Sequence, residues 1–373
     1  MTAIGPGAAD TRARRLDHLR AAMARAGIGL AAIAPTDNLR WLAGFAPIYD
    51  ERACLLLVSP TGAAMLMPSL NAEQMAQRTP ELELVRWDDE DGPQAALADA
   101  LTRVSVPAGA EVAVDPLMRA DHLLLLLGGL PSVTPVDGAE VIAPLREVKD
   151  ATELATLQRS SDIADDAVRA AWAACAPGVT ELQVADAITQ TFGAAGATPE
   201  FSLVGSGPNG AFPHHETGPR ALRDGDAVVI DLGGVLDGYH SDITRMAFIG
   251  EPTDRYREVH GVVEAAVTAA MAATRPGATC GEVDAAARGV ISEAGYGEFF
   301  VHRTGHGLGV SGHEPPYVMD GSTVVLQAGM VHSIEPGIYL PGDFGIRLEE
   351  IVTVTESGCE RFSALPRDVH VAE

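Results

Sequence analysis

Four acidic residues and one histidine in the C-terminal part of the sequence have the side-chain types and the spacing of a metal site. They are Asp231, Asp242, His306, Glu335 and Glu349. Two of the acids, Asp231 and Glu335, each end an apolar run, and each is followed by a second acid after a glycine-rich turn. Because four carboxylates in one pocket would repel one another and raise one another's pKa, cations are needed to balance them. The pattern therefore predicts a site for two divalent metal ions.

The donor set indicates which ions would bind and what they would do. Carboxylate oxygens with one imidazole suit Mn²⁺, Co²⁺, Fe²⁺ or Zn²⁺, and the absence of thiolates disfavours a structural zinc site. Two such ions can share a bridging water, lower its pKa and hold a carbonyl or phosphoryl group for attack. The prediction is a hydrolase whose nucleophile is a metal-bridging hydroxide.

Three further histidines fall near these residues in the sequence. His214 and His215 follow a Gly-Ser-Gly-Pro loop, and His313 comes seven residues after His306. A lone histidine is more often structural or solvated. Placement beside the candidate ligands favours substrate contact or proton transfer instead.

An acid at the end of a strand also has an ordinary structural explanation, because such residues commonly close turns or cap helices. The apolar runs before Asp231 and Glu335 nevertheless predict buried strands, where an unpaired charge would be costly without a cation. Taken together, the acids and the histidine favour the metal site.

The candidate ligands occupy matching places in an internal repeat. Thr180 and Thr279 each belong to a Pro-Gly-x-Thr segment and are followed three residues later by Gln or Glu. This spacing is that of a capping box, so it predicts a helix start at each threonine. Further on, the segments GDAVVID and GMVHSIE place Asp231 and Glu335 six residues after a glycine. A duplicated unit with pseudo-twofold symmetry would bring the four acids together.

The repeat also predicts a short strand after the second helix of each half. These strands would open at Glu200-Phe201 and at Glu298-Phe299.

The N-terminal part of the chain has a different pattern. Helical stretches at 11–26 and 93–104 alternate with apolar runs at 28–34, 53–58 and 111–114, which is typical of a small α/β domain. The charged segment 144–152 separates it from a long helical pattern that starts near Glu153. We therefore expect an N-terminal domain over 1–146 and a catalytic domain over 153–373.

Composition excludes several classes of partner. The formal net charge of −25 argues against nucleic acid and anionic membranes. Four scattered cysteines suggest neither a zinc ribbon nor a disulfide framework and indicate reduced thiols in a cytoplasmic protein. The longest leucine run, 123–127, is too short to span a bilayer, and the N-terminus lacks the apolar region of a signal peptide.

Longer blocks of sequence resemble the pita-bread metallopeptidases, in the branch that contains Xaa-Pro dipeptidases (prolidases) and aminopeptidase P. The blocks are GSGPNGAFPHH, GDAVVIDLGGVLDGYHSDITR, HRTGHGLGVSGHEPP, SIEPGIY and GIRLEEIVTVTESG, with NLRWLAGF at 38–45. They cover most of 200–358. The resemblance implies an α/β N-terminal domain followed by an α+β pita-bread domain with an internal pseudo-twofold duplication.

The resemblance also implies which metal ion each ligand would bind. Asp231 would chelate one metal ion, Asp242 and Glu349 would bridge both, and His306 with Glu335 would hold the second. Glu335 would in addition take a proton from the bridging water and pass it to the leaving nitrogen.

Four other residues take roles by the same resemblance. His214 would lie near the leaving group, His313 would polarise the scissile carbonyl or its tetrahedral intermediate, and His302 would contact substrate. Arg347 would orient neighbouring groups. The implied cofactor is a pair of divalent ions, Mn²⁺ foremost, and the implied assembly is a homodimer.

The implied substrate is a short proline-containing peptide, cleaved between Xaa and proline. An Xaa-Pro bond is a tertiary amide without an N–H. A protease that recognises its substrate through a hydrogen bond from that N–H therefore cannot bind it in the same way. Prolidases commonly carry an arginine soon after the His-Glu motif for the carboxylate of a dipeptide, whereas no arginine lies between Arg303 and Arg347 here. The hypothesis is that Arg40 or Arg52 replaces it, across a dimer interface.

Dipeptidase and aminopeptidase P activity both remain open at this point. A creatinase-like hydrolase of a small amide or amidine is an alternative on the same fold, although such relatives lack metal ligands that are all present here. A non-catalytic binding module is the alternative from another class, and the complete ligand set argues against it.

Overall fold

The first part of the chain folds as the alternating pattern predicts. The structure, a computed structural model, describes residues 8–372, and the chain divides into one unit that ends at Arg146 and a second that begins at Glu147. The first unit contains helices α1 (Ala8–Ala26), α2 (Asp37–Ala43), α3 (Ser69–Arg78), α4 (Gln94–Val104), α5 (Ala120–Gly129) and α6 (Ala139–Glu147), and strands β1 (Ile28–Ile33), β2 (Leu55–Val58), β3 (Ala63–Pro68), β4 (Glu83–Trp87), β5 (Glu111–Val114) and β6 (Thr134–Asp137).

These strands form one mixed sheet in the order β4-β3-β2-β1-β5-β6. β1 pairs antiparallel with β2 and parallel with β5. The central strands are apolar because helices cover them, as Leu30, Leu57 and Val112 show by full burial. The predicted α/β organisation of this region is confirmed.

The second unit is built from four long helices and eleven strands among the described residues. The helices are α7 (Ala151–Ala174), α8 (Glu181–Ala194), α9 (Asp254–Ala273) and α10 (Cys280–Glu293), and the strands are β7 (Thr198–Ser206), β8 (Ala227–Leu236), β9 (Tyr239–Ile249), β10 (Gly305–Gly307), β11 (Glu314–Val318), β12 (Val331–Ile334), β13 (Gly337–Leu340), β14 (Phe344–Arg347), β15 (Glu350–Val354), β16 (Cys359–Arg361) and β17 (His370–Ala372). They form sheets β17-β9-β8-β7, β11-β10-β12-β15-β16 and β13-β14.

The internal repeat is visible in matching backbone contacts. Thr180 and Thr279 both close the predicted capping boxes at the starts of α8 and α10. The amide of Gly225 donates to Ile249 at 2.8 Å, and the amide of Gly329 donates to the carbonyl of Val354 at 2.9 Å. Equivalent turns therefore lead into β8 and β12, the two strands that precede the first acid of each half.

One predicted strand is wrong. Thr198–Ser206 forms the long strand β7, which pairs with β8 along its length. In the second half, Gly297–Phe299 forms a single turn of 3₁₀ helix, with the Phe299 amide bonded to the Tyr296 carbonyl at 2.9 Å. That local hydrogen bond satisfies the backbone that a strand neighbour would otherwise have to satisfy.

The two faces of β8 decide where its acid points. Val228, Ile230 and Leu232 pack into the core formed with α7 and α8. Ala227 and Val229 pack into the core formed with α9 and α10. Because side chains alternate along a strand, Asp231 shares the second face. As for membranes, no helix within residues 8–372 combines the length and the apolar character needed to cross one.

Candidate active site

The five predicted ligands lie on or directly beside strands of the second unit. Asp231 is on β8, Asp242 on β9 and His306 on β10. Glu335 directly follows β12, and Glu349 lies between β14 and β15. Two acids thus come from within paired strands, one directly follows a strand and one directly precedes a strand.

Antiparallel register brings the first two acids together. Gly233 on β8 is directly opposite Asp242 on β9, and Asp231 is opposite Thr244. The two aspartates are therefore diagonal neighbours on one face of the sheet, a distance at which side chains interact. Glycine at 233 lets the Phe201 ring and the Ser241 carbonyl come close, since a Cβ there would lie 2.4 Å from each.

The backbone of the second half fixes the position of His306. Its amide donates to Ser333 Oγ at 2.9 Å, and its Nδ1 lies 3.0 Å from the Gly307 carbonyl. That hydrogen bond assigns the ring proton to Nδ1. Nε2 faces the carboxylates, 3.3 Å from Glu335 Oε1 and 3.8 Å from Asp242 Oδ2. It can carry a second proton that bonds Glu335 or, without that proton, bind a metal ion.

The ligand atoms group into overlapping sets that suit two ions. Within one set every donor atom lies within 4.8 Å of the others, and the sets are Asp231-Asp242-Glu349, His306-Glu335-Glu349 and Asp242-His306-His313. Asp242 and Glu349 each belong to two sets. These shared carboxylates are the ones expected to bridge two metals.

Orphaned oxygens show that protein groups alone do not satisfy this cluster. Glu349 Oε2 accepts from Thr244 Oγ1 at 2.9 Å, whereas Oε1 is buried without a hydrogen-bond partner. Asp231 Oδ1 is likewise buried without a hydrogen-bond partner. A buried carboxylate oxygen without a donor is costly, so these atoms fit the lone-pair requirement of metal ions.

The raised pKa values of two carboxyl groups in the cluster also indicate a site for cations. Burial, with the neighbouring carboxylates Glu349 and Asp231, raises the pKa of Asp242 well above its usual value. Burial and the charges of Glu335 and Asp231 likewise raise the pKa of Glu349. Without cations, the folded protein would hold protons on these acids; bound cations would displace them.

Glu335 behaves differently because cations face it. Burial alone would raise its pKa, but the hydrogen bond and charge of His306, with the charges of His302 and Arg347, lower it to about 2. Ser333 Oγ also donates to its Oε1 at 3.1 Å. Glu335 is therefore an ionised carboxylate in the free protein.

Arg347 holds the first-half acid in place. Its Nη2 donates to Asp231 Oδ2 at 2.6 Å, and its Nε donates to Thr244 Oγ1 at 3.2 Å. Its Nη1 donates to Tyr339 Oη at 2.7 Å and to the Pro213 carbonyl at 3.3 Å. The orienting role of Arg347 stays a prediction.

His302 is tied to the same network through a tyrosine. Its Nε2 lies 2.8 Å from Tyr339 Oη, and its Nδ1 lies 2.7 Å from the Arg303 carbonyl. The carbonyl must accept, so Nδ1 carries the proton and Nε2 accepts from the tyrosine. Burial lowers the pKa of His302.

His313 stands against the ligand histidine. Its ring centroid is 3.7 Å from that of His306, and Arg303 Nη2 donates to its Nδ1 at 3.1 Å. The proton of neutral His313 therefore sits on Nε2. Burial, then the charges of His306 and Arg303, lower its pKa to about 4, so it is a neutral donor at physiological pH.

The two loop histidines have different surroundings. His214 is exposed and lines the cavity. His215 Nε2 donates to Glu181 Oε2 at 3.0 Å. Glu181 Oε1 accepts from Ser206 Oγ at 2.6 Å and from Asn209 Nδ2 at 3.0 Å. Glu181 is fully buried, and it ties the loop that carries both histidines to the start of α8.

All of these groups open on one cavity of about 910 Å³. Its described lining lies between residues 201 and 349 and includes Phe201, Leu203, Pro213, Glu216, Thr217 and Arg303 beside the ligands and histidines. The lining combines polar groups with apolar side chains, which is usual for a small-molecule site.

Arg40 and Arg52 lie in the first unit. Arg40 Nε is 3.8 Å from Asp37 Oδ1. Arg52 is held more firmly, because its guanidinium pairs with Asp89 at 3.0 Å and Glu51 at 3.1 Å. Their proposed role toward substrate stays a prediction.

Sequence reasoning missed Tyr339, Thr244, Glu181 and the contacts of Arg303. Tyr339 sits in the apolar strand Gly337–Leu340, where it looks like a core residue. The available signal was its hydroxyl, because a buried tyrosine usually needs a hydrogen-bond partner.

Comparison with known families agrees with this geometry. Residues 155–356 match the profile of metallopeptidase family M24, more than half of the chain. Residues 15–148 match the creatinase/prolidase N-terminal domain.

Individual relatives extend the similarity to nearly the whole chain. A Mycobacterium tuberculosis protein named "Probable dipeptidase PepE" is 41% identical over 369 residues, which cover 97% of both chains. An Xaa-Pro dipeptidase of Lactobacillus delbrueckii subsp. lactis is 32% identical over 361 residues, covering 95% of this chain and 98% of the relative. The crystal structure of a recombinant prolidase from Thermococcus sibiricus has a TM-score of 0.92 and 33% identity, covering 97% and 99%.

Proposed function

The chain belongs to metallopeptidase family M24, and from that premise we propose that it is an exopeptidase with two divalent metal ions that hydrolyses the bond between Xaa and proline in short peptides. The catalytic domain would span 153–373 and the N-terminal domain 1–146. Relatives named dipeptidase or Xaa-Pro dipeptidase support the substrate class.

One observation carries the metal part of the proposal. Three sets of donors overlap pairwise at Asp242, His306 and Glu349, and buried oxygens of Asp231 and Glu349 have no hydrogen-bond partner among the described residues. Asp231, Asp242 and Glu349 would hold one ion, and His306, Glu335, Asp242 and Glu349 the other. When bound, such a pair supplies charge neutralisation, polarisation of the scissile carbonyl and a bridging hydroxide nucleophile.

The protein's own groups would handle protons and orientation. Glu335 is ionised, so it can accept a proton from the attacking water and pass it to the proline nitrogen, which must be protonated to leave. His313 presents an Nε2–H that can donate to the carbonyl oxygen as negative charge develops there. His214 would lie on the leaving-group side, and His302 would contact substrate.

Proline preference follows from the chemistry of the bond. The tertiary amide has no N–H to be recognised, and its ring is rigid and apolar. Phe201, Leu203 and Pro213 supply apolar lining beside the ligands, which suits such a ring. Cleavage of longer Xaa-Pro-Yaa peptides is the aminopeptidase P variant of the same reaction.

We also propose Mn²⁺ as the native ion, a cytoplasmic location and a homodimer. The four cysteines are all free, three of them buried, which supports a reducing compartment. Oxygen-rich ligation with one imidazole supports Mn²⁺. Light scattering would test the dimer directly.

Metal removal and substrate comparison test the function. The chelator-treated protein should be inactive, Mn²⁺ or Co²⁺ should restore hydrolysis of Xaa-Pro, and Xaa-Ala should be cleaved far more slowly. Glu349→Gln should reduce bound metal per chain, measured by elemental analysis, whereas Glu356→Gln, which changes an exposed acid, should not. Equal rates on Xaa-Pro and Xaa-Ala would contradict the proline preference. No turnover with any metal would indicate a binding module.

A further inference from the structure

Arg303 is a cavity residue with hydrogen-bonding capacity left over. Its side chain is half-buried and lines the cavity. Nη2 donates to His313 Nδ1 at 3.1 Å, and the guanidinium carbon lies 4.5 Å from the centre of the Tyr317 ring. Within residues 8–372 its Nε and Nη1 make no hydrogen bond. A guanidinium has five N–H donors, so most of those on this cavity-lining residue have no protein partner among residues 8–372.

The other lining arginine has little capacity to spare. Arg347 is 4% exposed, and its Nε, Nη1 and Nη2 all donate to protein acceptors, Asp231 among them. A substrate anion that recruited Arg347 would have to displace these bonds. Arg303 can bind an anion without such a loss.

The position of Arg303 is fixed relative to the ligand cluster. Tyr317 is the antiparallel partner of His306 across β10 and β11, and stacking on its ring holds the planar guanidinium. His313, the hydrogen-bond partner of Arg303, stacks at 3.7 Å on His306. One imidazole ring therefore separates the guanidinium from a metal ligand.

A dipeptide carries its carboxylate close to the bond that is cleaved. Consecutive Cα atoms are about 3.8 Å apart, so the carboxylate of Xaa-Pro lies only one residue beyond the scissile bond. A longer peptide has an amide at that point and carries its carboxylate farther away. The site otherwise presents carboxylates such as Glu216 to the substrate, and these would repel an unpaired anion.

We propose that Arg303, whose guanidinium lies over the Tyr317 ring, binds the C-terminal carboxylate of a dipeptide substrate and so makes the enzyme prefer Xaa-Pro over peptides extended beyond proline. This inference rests on the proposed Xaa-Pro hydrolysis. Arg303 thus does in this chain what the absent arginine after the His-Glu motif would do, in place of Arg40 or Arg52.

The test compares a free carboxylate with a blocked one on the metal-loaded full-length protein. The substrates are Xaa-Pro and its C-terminal amide, and the readout is the ratio of their kcat/KM values. Arg303→Gln should lower this ratio by about 10- to 100-fold, the usual worth of a charge-assisted hydrogen bond, chiefly through a higher KM for Xaa-Pro. Any effect on kcat through His313 acts on both substrates and cancels in the ratio.

Two further variants complete the experiment. Arg303→Lys keeps the charge without the planar fork, so its ratio should fall between those of the wild type and Arg303→Gln. It also keeps the test decisive if the glutamine variant is poorly folded. Arg169→Gln changes an exposed arginine on α7 that pairs with Asp166, and its ratio should equal that of the wild type.

Three results would overturn the inference while leaving Xaa-Pro hydrolysis intact. In the first, the wild type cleaves the acid and the amide equally well. In the second, Arg303→Gln leaves the ratio of their kcat/KM values unchanged. In the third, Arg40→Ala or Arg52→Ala lowers this ratio and Arg303→Gln does not. Absence of any Xaa-Pro hydrolysis by the metal-loaded wild type is a separate result that removes the proposed function first.

Discussion

The hydroxyl group of Tyr339 links two polar side chains of the cavity, Arg347 and His302. Tyr339 Oη accepts a hydrogen bond from Arg347 Nη1 at 2.7 Å and donates one to His302 Nε2 at 2.8 Å. Arg347 in turn holds Asp231. Tyr339 bonds none of the predicted metal ligands directly. It acts as a positioning residue for Asp231, through Arg347, and for His302.

Tyr339→Phe tests this role. The change leaves His302 Nε2 and one N–H of Arg347 without a partner, which should cost about 1–3 kcal/mol of stability. Because the two side chains can then shift, kcat for Xaa-Pro should fall about tenfold with KM nearly constant. Tyr296→Phe is the matched control, since its hydroxyl contacts only Glu258 at 3.3 Å. A loss of stability with unchanged kcat would mean that Tyr339 is merely structural.

The close approach of strands β10 and β12 fixes the distance between His306 and Glu335. A Cβ on Gly305 would lie 2.0 Å from the carbonyl oxygen of Ser333, a contact that no side chain tolerates. Glycine at this position lets β10 lie against β12, and that contact brings His306 to Glu335. The glycine next to the histidine is therefore part of the ligand geometry.

Gly305→Ala should separate these strands. We expect a loss of about 1–3 kcal/mol from overpacking, measured by thermal or urea unfolding, and a lower metal content per chain because two ligands move apart. Gly289→Ala is the control, since a Cβ there meets nothing within 4 Å on helix α10, and alanine favours a helix. Wild-type metal binding in Gly305→Ala would show that the approach of β10 and β12 is not needed.

The pH dependence of stability belongs to the whole molecule, and one buried histidine should contribute to it. His332 is fully buried on β12, and its Nε2 has no hydrogen-bond partner. Burial lowers its pKa from 6.5 to about 4. Between these values the unfolded chain binds a proton that the folded chain does not, so stability falls as the pH drops from 6.5 towards 4.

Comparison of the metal-free wild type with His332→Asn measures this contribution. The wild type should lose up to about 3 kcal/mol more than the variant across that window, and the difference in unfolding free energy between the two should be constant above pH 7. Urea titrations at several pH values provide the measurement. Parallel curves for both proteins below pH 6 would contradict the assignment.

Several features of this protein follow from the sequence alone because they depend on near neighbours. The capping boxes at Thr180 and Thr279 are local, since each threonine and its partner are three residues apart. Strand periodicity is local too, and it placed Asp231 at the end of a buried run. The repeat then related Asp231 to Glu335 without any structural knowledge, so the ligand set could be predicted.

Only the tertiary structure decided which distant groups meet. Arg347 reaches Asp231, 116 positions away, and Thr244 reaches Glu349, 105 positions away. Arg303 stacks on Tyr317 because the register of β10 and β11 places that ring there. No local pattern encodes such contacts, since they depend on strand register and on backbone separation. Conversely, Glu298-Phe299 looked like a strand but turns, because a strand forms only where a neighbouring strand supplies hydrogen bonds.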